Sequence, residues 1–462
     1  MKKISLLLVV LIVVSLVMPL SSCDLFIKVP TINGVSLKEF IIVYDKDSLD
    51  YNQRAAEYIQ SKLNEQFKLN LEIVDDDTPK AAHEIVVGET SRDISVSLDA
   101  ETGGLEFSIL AKDGSVALEG DYFVIAAAAY YFIDTYASSE GQESTISEKA
   151  SVHTPIVKEA KNYVMLIGDG MGVYQTRLFE YLENDCEYGD GEDLFYGYML
   201  PYMGYSRTDS YSGTTDSAAG GTALSTGYKT LNSYLGLNIA GDSKQSLTEL
   251  AFELGKATAV MSTENETGAT PASFLVHVQS RDYDDIIGRK IMEHREKYGT
   301  FVDCGFDYYN ARYMGIIEDH VTSMLDKVSS DEDGFFLMYE EAYIDKHCHN
   351  NEMDNAFLAV IRFNQVIARF MEFAFYNPET FILITADHET GKLWPEEDGT
   401  LAYHHDDHSS ENVLIFAYGQ GAELFDGVEI ENIQIAHTIA ALMGIDNFGD
   451  QRQYQSLTKP QQ

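Results

Sequence analysis

Apolar and polar positions alternate in short runs over residues 38–155, and this pattern predicts a small α/β domain. Helical spacing of the apolar positions predicts an amphipathic helix over 52–67 and a buried helix over 126–136. Lys112-Asp113-Gly114 separates two of the apolar runs, which indicates a hairpin. A segment rich in Ser and Glu, 138–150, is the predicted linker. The predicted strands of this domain lie at residues 40–44, 71–74, 84–87, 105–110 and 115–118.

From residue 162 onward the apolar runs become continuous, as in parallel strands that are buried on both faces. Helical patterns separate them, notably over 356–375. This alternation predicts an α/β fold, a mainly parallel doubly wound sheet with helices on both faces. The predicted strands lie at 163–167, 257–261, 335–339, 381–384 and 413–417. We divide the chain into an accessory domain plus linker at 24–155, a catalytic domain at 156–450 and a polar tail at 451–462.

The beginning of the chain has the pattern of a secretory signal. Lys2 and Lys3 precede an apolar run over 4–18, which is too short to span a membrane. The run leads to Leu20-Ser21-Ser22-Cys23, which resembles the bacterial lipobox. This predicts that residues 1–22 are a removed signal peptide and that Cys23 carries a lipid anchor. An ordinary cleaved signal with an incidental cysteine is the alternative. The predicted location is the cell envelope outside the cytoplasm, on the periplasmic face of the inner membrane or the outer surface of the cytoplasmic membrane.

The charge balance narrows the possible partners. The chain has 32 basic and 74 acidic residues, a net charge of −42. Nucleic acid is excluded as a partner, because such a surface cannot replace the counterions of a phosphate backbone. An anionic substrate would also be repelled, unless bound cations reverse the field at its site.

Three predicted strands lead into acidic side chains. Asp169 follows the first, Glu340 follows the run at 335–339, and Asp387-His388 follows the run at 381–384. Ligands of open α/β sheets bind outside the carboxyl ends of the strands. Carboxylates that converge there would repel one another and bind protons unless cations lay between them. The pattern therefore predicts a metal site.

Further candidate ligands lie later in the chain. Asp345 and His349 are four residues apart, and His408 ends the run His404-His405-Asp406-Asp407-His408. Imidazole with carboxylate suits zinc, whereas carboxylate with hydroxyl suits magnesium. His347 also neighbours His349, but the spacing from Asp345 favours His349.

Ser217 stands where a helix of small residues is predicted to begin, in Thr215-Asp216-Ser217-Ala218-Ala219. The N-terminus of a helix favours an anion, because its backbone N–H groups are unpaired. A serine at this position is also a common helix N-cap, and that structural alternative stays open. Thr208-Asp209-Ser210 repeats the tripeptide, but we predict a turn there.

Taken together, these motifs resemble the alkaline phosphatase family over residues 160–445. They occur in the family order: Gly168-Asp169-Gly170-Met171-Gly172, Thr215-Asp216-Ser217-Ala218-Ala219, Ala269-Thr270-Pro271 with Arg281, Glu340 with Asp345 and His349, Thr385-Ala386-Asp387-His388, and His408-Ser409-Ser410-Glu411.

The resemblance implies phosphate monoester hydrolysis with two zinc ions and one magnesium ion. It implies that Ser217 is the nucleophile, forming a phosphoseryl intermediate, that Arg281 grips the phosphate, that Asp216 orients Arg281, and that Lys346 contacts phosphate through water. The implied ligands of the first zinc are Asp345, His349 and His408. Those of the second are Asp387, His388 and Asp169, and those of magnesium are Asp169, Thr270 and Glu340. The implied partners are small phosphorylated substrates and a second copy of the chain, as a homodimer.

One position departs from the family pattern. Gly268 stands where relatives carry an aspartate or histidine near the magnesium, which leaves the third metal open. A phosphodiesterase or sulfatase of the same superfamily is the alternative activity. A surface lipoprotein that binds phosphate without turnover is the alternative from another functional class.

Overall fold

The computed structural model describes residues 27–46, 50–95, 104–182, 194–305, 315–452 and 455–458. The predicted signal peptide and Cys23 lie outside these residues. Among the residues described, no helix is long and apolar enough to cross a membrane.

The amino-terminal part of the chain is built on a six-stranded sheet and a smaller three-stranded one. Its helices are α1 (Tyr51–Phe67) and α2 (Ile125–Tyr136). Its strands are β1 (Thr31–Ile32), β2 (Val35–Ser36), β3 (Ile41–Tyr44), β4 (Ile73–Asp75), β5 (Glu84–Val87), β6 (Phe107–Lys112), β7 (Ser115–Glu119), β8 (Glu143–Ser144) and β9 (Ser151–His153). All the predicted strands and helices of this part are present. Most of their ends differ from the predicted ends by one or two residues.

The six-stranded sheet has the order β4-β3-β5-β7-β6-β9. The predicted hairpin joins β6 to β7, with Lys112 opposite Ser115. Asp113 and Gly114 form its two-residue turn with φ of 53° and 79°. Positive φ at both positions is the geometry that matches the twist of two antiparallel strands.

The segment predicted as a linker is not a linker throughout. Residues 138–150 include β8, which pairs in parallel with β1, and β9 follows directly as the edge strand of the larger sheet. Ser and Glu are typical of loops, but the backbone N–H and C=O groups of such residues pair as well as any others. That residues 24–155 and 156–450 are separate domains stays a prediction.

The carboxyl-terminal part contains an eight-stranded sheet and two two-stranded ones. Its strands are β10 (Asn162–Gly168), β11 (Tyr202–Arg207), β12 (Ala257–Ser262), β13 (Phe301–Cys304), β14 (Phe335–Glu341), β15 (Thr380–Thr385), β16 (Glu389–Thr390), β17 (Leu393–Pro395), β18 (Leu401–Tyr403), β19 (His408–Ser409), β20 (Val413–Tyr418) and β21 (Glu429–Glu431). Its helices are α3 (Val173–Thr176), α4 (Leu178–Leu182), α5 (Ser217–Thr226), α6 (Leu247–Glu253), α7 (Ala269–Ser273), α8 (Asp284–Tyr298), α9 (Gly315–Val328), α10 (Tyr343–His349), α11 (Met353–Tyr376) and α12 (Ile433–Leu442).

The large sheet has the order β13-β12-β14-β10-β15-β20-β11-β21. The five strands from β13 to β15 run parallel, which confirms a mainly parallel α/β sheet. The orientation predicted for residues 413–417 is wrong, because β20 runs antiparallel to β15. Its apolar run shows burial on both faces, and burial alone does not distinguish strand direction.

Alternate residues of the central strand β10 enter different cores. Val164 and Leu166 pack in the core that contains α11. Tyr163, Met165 and Ile167 pack in the core that contains residues of α5, α6 and α12. Both faces of the sheet are therefore covered by helices. A site is expected at the ends of the strands.

The first of these cores is shared between the two parts of the chain. Residues of α1 and α2 belong to the same apolar cluster as α11. At this contact Tyr58 stacks on Tyr376 with ring centroids 4.1 Å apart, and Arg54 donates to Glu372 at 2.8 Å. The amino-terminal part thus packs on the face of the sheet that α11 covers.

Candidate active site

Four neighbouring strands bring the candidate ligands to one edge of the sheet. Asp169 follows β10, Glu340 lies at the end of β14, and Asp387 and His388 follow β15. Thr270 lies in α7, which comes after β12. Because β12, β14, β10 and β15 are adjacent and parallel, their carboxyl ends meet at this edge.

Helix α5 brings Ser217 to the same edge. The N-cap of α5 is Asp216, whose Oδ1 accepts from the Ala219 N–H at 2.9 Å, so Ser217 is the first helical residue and not the cap. A Cβ on Gly220 would contact the Asp387 carbonyl oxygen at 2.9 Å. The small residues after Ser217 therefore allow the helix to approach the end of β15 closely.

Asp169, Asp387 and His388 form one buried cluster, in which one ligand atom from each residue lies within 4.8 Å of the others. His388 Nε2 is 3.4 Å from Asp169 Oδ1 and 3.3 Å from Asp387 Oδ2. These two oxygens have no hydrogen-bond partner among the residues described. Buried carboxylate oxygens without partners fit a bound cation.

Asp345, His349 and His408 form a second, more exposed cluster. Asp345 Oδ1 lies 3.4 Å from His349 Nε2 and 3.6 Å from His408 Nε2, and the two imidazole nitrogens are 3.1 Å apart. The Nδ1 atoms contact the backbone carbonyls of Asp406 and Thr215, at 2.7 and 2.8 Å. Because each Nδ1 is engaged by the backbone, each Nε2 is presented to the cluster.

Ser217 lies between the two clusters. Its Oγ is 3.1 Å from His388 Nε2, and the His388 ring stacks on His408 with centroids 3.7 Å apart. Thr390 Oγ1 also joins the clusters, because it donates to Asp345 Oδ1 at 2.5 Å and lies 3.2 Å from His388 Nδ1.

Thr270 and Glu340 form a third group beside Asp169. Both side chains are fully buried, and neither Thr270 Oγ1 nor Glu340 Oε1 has a hydrogen-bond partner among the residues described. The other Glu340 oxygen accepts a hydrogen bond from Ser262. A hydroxyl with carboxylates is the donor set that magnesium prefers.

Two cationic side chains border the site. Arg281 Nη1 lies 3.5 Å from Asp216 Oδ2, and the Arg281 backbone N–H donates to the Ser233 carbonyl at 2.9 Å. Lys346 Nζ donates to Glu264 Oε2 at 2.8 Å and lies 4.5 Å from the centre of the Tyr343 ring. Arg281 therefore supplies positive charge beside the residue that precedes Ser217, and Lys346 supplies it beside Glu264.

Burial and mutual repulsion shift the pKa values of the ligands. Burial and then the charge of Asp345 raise the pKa of Asp387 to about 7. Burial, followed by Asp387, raises the pKa of Asp169 well above its usual range. Burial, then His408 and Arg281, lowers the pKa of His388 well below its ordinary value. The protein alone thus favours neutral side chains here, and a cation would reverse the preference of the carboxylates.

The structure places every predicted site residue at this edge of the sheet. The neighbouring candidates have other partners: His347 lies 2.7 Å from Glu352, and His404 lies 3.7 Å from Glu396. Ser210 forms a turn with Gly213, as predicted. Sequence reasoning missed Thr390 and Glu264. The only signal for Thr390 is its place two residues after His388, and Glu264 lies in a loop that the motifs do not cover.

Comparisons with known proteins identify the family of this chain. The family model described as Alkaline phosphatase matches residues 160–303 and 298–400. Alkaline phosphatase 4 of Bacillus subtilis is 28% identical over 333 residues, which cover 61% of this chain and 72% of that protein. The alkaline phosphatase of Escherichia coli is 39% identical over 127 residues, 27% of each chain.

Among solved structures, the alkaline phosphatase from the Antarctic bacterium TAB5 has a similar fold. The TM-score is 0.53 at 24% identity, and the match covers 62% of this chain and 99% of that one. The family model, for its part, spans more than half of the chain. The chain therefore belongs to the alkaline phosphatase family of phosphomonoester hydrolases.

Proposed function

We propose that this phosphomonoester hydrolase forms a phosphoseryl intermediate on Ser217 and holds two zinc ions and one magnesium ion. The main support for the proposal is the position of the Ser217 side chain. Its Oγ lies 3.1 Å from His388 Nε2, at the N-terminus of α5, between two clusters of carboxylate and imidazole ligands.

The residues present fit the metals that the family implies. Asp345, His349 and His408 would hold the first zinc, and Asp387, His388 and Asp169 the second. Their nitrogen and oxygen donors suit zinc, and the partnerless oxygens of Asp169 and Asp387 are open for coordination. Asp169, Thr270 and Glu340 would hold magnesium. Bound zinc lowers the pKa of a coordinated hydroxyl and stabilises charge on attacking and leaving oxygens.

The protein groups account for the rest of the reaction. Ser217 Oγ loses its proton and forms a bond to phosphorus while the bond from phosphorus to the leaving-group oxygen breaks, and that oxygen takes a proton from solvent. Water then loses a proton and attacks the phosphoseryl phosphorus. The bond from phosphorus to Oγ breaks, inorganic phosphate leaves and Ser217 Oγ regains a proton. Arg281 can bind two phosphate oxygens with its guanidinium, while the N-terminal N–H groups of α5 face the same anion. Lys346 adds positive charge at the border of the site, and small phosphorylated molecules are the proposed substrates.

Serine replacement tests the nucleophile. Ser217→Ala is expected to abolish hydrolysis of an aryl phosphate monoester, because it removes the hydroxyl that lies 3.1 Å from His388 Nε2 at the start of α5. Ser210→Ala is the matched control, since Ser210 occupies the repeated tripeptide but forms an exposed turn. Removal of metal by a chelator should also abolish turnover. Hydrolysis that survives both treatments, or a faster rate on a phosphate diester or sulfate ester, would contradict the proposal.

We also propose that the protein is a lipoprotein, anchored outside the cytoplasm through Cys23. Support comes from Leu20-Ser21-Ser22-Cys23 after a charged and apolar leader. Cys23→Ser should abolish incorporation of labelled fatty acid and release the protein from the membrane fraction. Unchanged membrane retention without label would argue against it. The homodimer stays a prediction, which sedimentation of the metal-loaded protein would test.

A further inference from the structure

The loop between β12 and α7 contains an unusual pairing of a glycine with an acid. Gly268 is the N-cap residue of α7, two positions before Thr270. A Cβ at Gly268 would overlap the carboxylate of Glu264, with Oε1 as the nearest atom. The Glu264 carboxylate therefore fills the space that a side chain at position 268 would occupy.

Glu264 is held in this position from two sides. Its backbone N–H donates to Ser262 Oγ at 3.0 Å, and Ser262 in turn donates to Glu340. Its Oε2 accepts from Lys346 Nζ at 2.8 Å. The side chain is only 17% exposed, so it faces the site rather than the solvent.

The groups around Glu264 have oxygen atoms available for a cation. Thr270 Oγ1 and Glu340 Oε1 are buried and have no hydrogen-bond partner in the described part of the chain. Ser262 joins the two acids, because its Oγ accepts from the Glu264 backbone N–H and donates to the Glu340 carboxylate. A buried carboxylate oxygen and a buried hydroxyl without partners are unfavourable unless a cation binds there.

We infer that Glu264 is the acidic residue of the third metal site and takes the place of the side chain that Gly268 lacks. Together with Thr270 and Glu340, Glu264 would bind a divalent cation that prefers oxygen ligands. Magnesium is such a cation. Through Oε2, Glu264 also holds Lys346, so one carboxylate links the cation to the lysine that borders the phosphate. This inference rests on the proposed function.

Magnesium binding measured without turnover tests the inference. The probe is Mg²⁺ alone, titrated into zinc-loaded protein, with bound magnesium read by equilibrium dialysis and the stabilisation read as a rise in Tm. Glu264→Gln keeps the size of the side chain and removes its charge. We expect it to raise the magnesium concentration at half-saturation roughly 10- to 100-fold. Zinc content should stay the same.

Glu266→Gln is the matched control, because Glu266 lies in the same loop but pairs with the guanidinium of Arg295, at 4.0 Å. It should bind magnesium like the wild type. The double variant Glu264→Ala with Gly268→Asp moves the acid to the other position, where φ of −54° accepts a side chain. We expect it to recover most of the magnesium affinity that Glu264→Ala alone loses.

A purely structural role for Glu264, as the counter-ion of Lys346, gives a different result. Glu264→Gln would then bind magnesium as tightly as the wild type, and this outcome would overturn the inference. So would a wild-type protein that takes up no magnesium beyond its zinc. Neither equilibrium dialysis nor Tm depends on turnover, so both test the magnesium site alone. Failure of the proposed function would be seen in a different experiment, as an active Ser217→Ala variant.

Discussion

At the scale of single residues, the Asp216 carboxylate contacts both the start of α5 and Arg281. Oδ1 caps α5 through the Ala219 N–H at 2.9 Å. Oδ2 accepts from the Ser233 N–H at 2.9 Å and lies 3.5 Å from Arg281 Nη1. Ser233 also binds the Arg281 backbone through its carbonyl. Ser217 and the Arg281 guanidinium are therefore positioned by the same side chain.

Arg281 should contribute mainly through its forked geometry. Arg281→Ala removes the guanidinium that we propose binds the phosphate, and we expect kcat/KM for an aryl phosphate to fall about 10²- to 10³-fold. Arg281→Lys keeps the charge but loses the fork, so it should recover only part of the activity. Steady-state kinetics measure both. Equal kcat/KM for the lysine variant and the wild type would show that charge alone is sufficient.

The sequence predicts the candidate metal ligands better than the residues that contact them. Asp169, Asp387 and His388 stand at strand ends and repeat a known motif, so their convergence follows from the parallel sheet. Thr390 and Glu264 do not follow from any pattern. Thr390 reaches the site because β16 pairs with β19 and Thr390 lies opposite His408, and Glu264 reaches it because Gly268 leaves a space. Both depend on where loops pass in three dimensions, which spacing along the chain does not determine.

At the scale of elements, apolar runs locate the strands but not their directions. The predicted run at 335–339 extends in β14 to Glu341, because the backbone pairing continues into the acidic residues. The run at 413–417 forms a strand that is antiparallel to its neighbour β15. Strand direction depends on how the chain returns to the sheet, and residues between 389 and 409 form small paired strands instead of a crossover helix.

The contact between α1 and α11 should be important for stability. Glu372 is 4% exposed and accepts hydrogen bonds from Arg54 and Arg369. Glu372→Ala leaves two partly buried guanidinium groups without this partner, and we expect the free energy of unfolding to fall by about 3 kcal/mol. Urea denaturation measures it. Glu65→Ala is the control, since Glu65 in α1 pairs with Lys62 on the surface and should cost under about 1 kcal/mol.

No loss of stability in Glu372→Ala would mean that the two parts of the chain do not depend on this ion pair. Two separate unfolding transitions in the variant would instead show that the amino-terminal part unfolds on its own once the contact is weakened.

At the scale of the whole molecule, an anionic substrate meets a strongly acidic protein. The net charge is −42, and three divalent cations would compensate only a small part of it. Added salt screens the remaining repulsion between protein and substrate. We therefore expect kcat/KM to rise with ionic strength, and more steeply for a substrate of higher negative charge. A fall in kcat/KM with salt for both substrates would show that attraction to the local cations dominates at long range.

Metal and pH should act together on stability. The pKa of Asp387 is about 7 in the protein without metal, against an ordinary value of 3.8. Between these values the folded state binds a proton that the unfolded state has lost, so this contribution to stability disappears as pH rises toward 7. Bound cations require the deprotonated carboxylate, so they stabilise most at high pH. The difference in Tm between metal-loaded and chelator-treated protein should widen from pH 5 to pH 8, and a constant difference would contradict this.

In the proposed mechanism the phosphoryl group passes through Ser217. Acid-quenched turnover of an aryl phosphate, followed by phosphopeptide mapping with mass spectrometry, tests it most directly. We predict a phosphoryl group on Ser217 in the wild type and in Ser210→Ala, and none in Ser217→Ala, which should be inactive. A phosphoryl group on another side chain, or full turnover by Ser217→Ala, would contradict it.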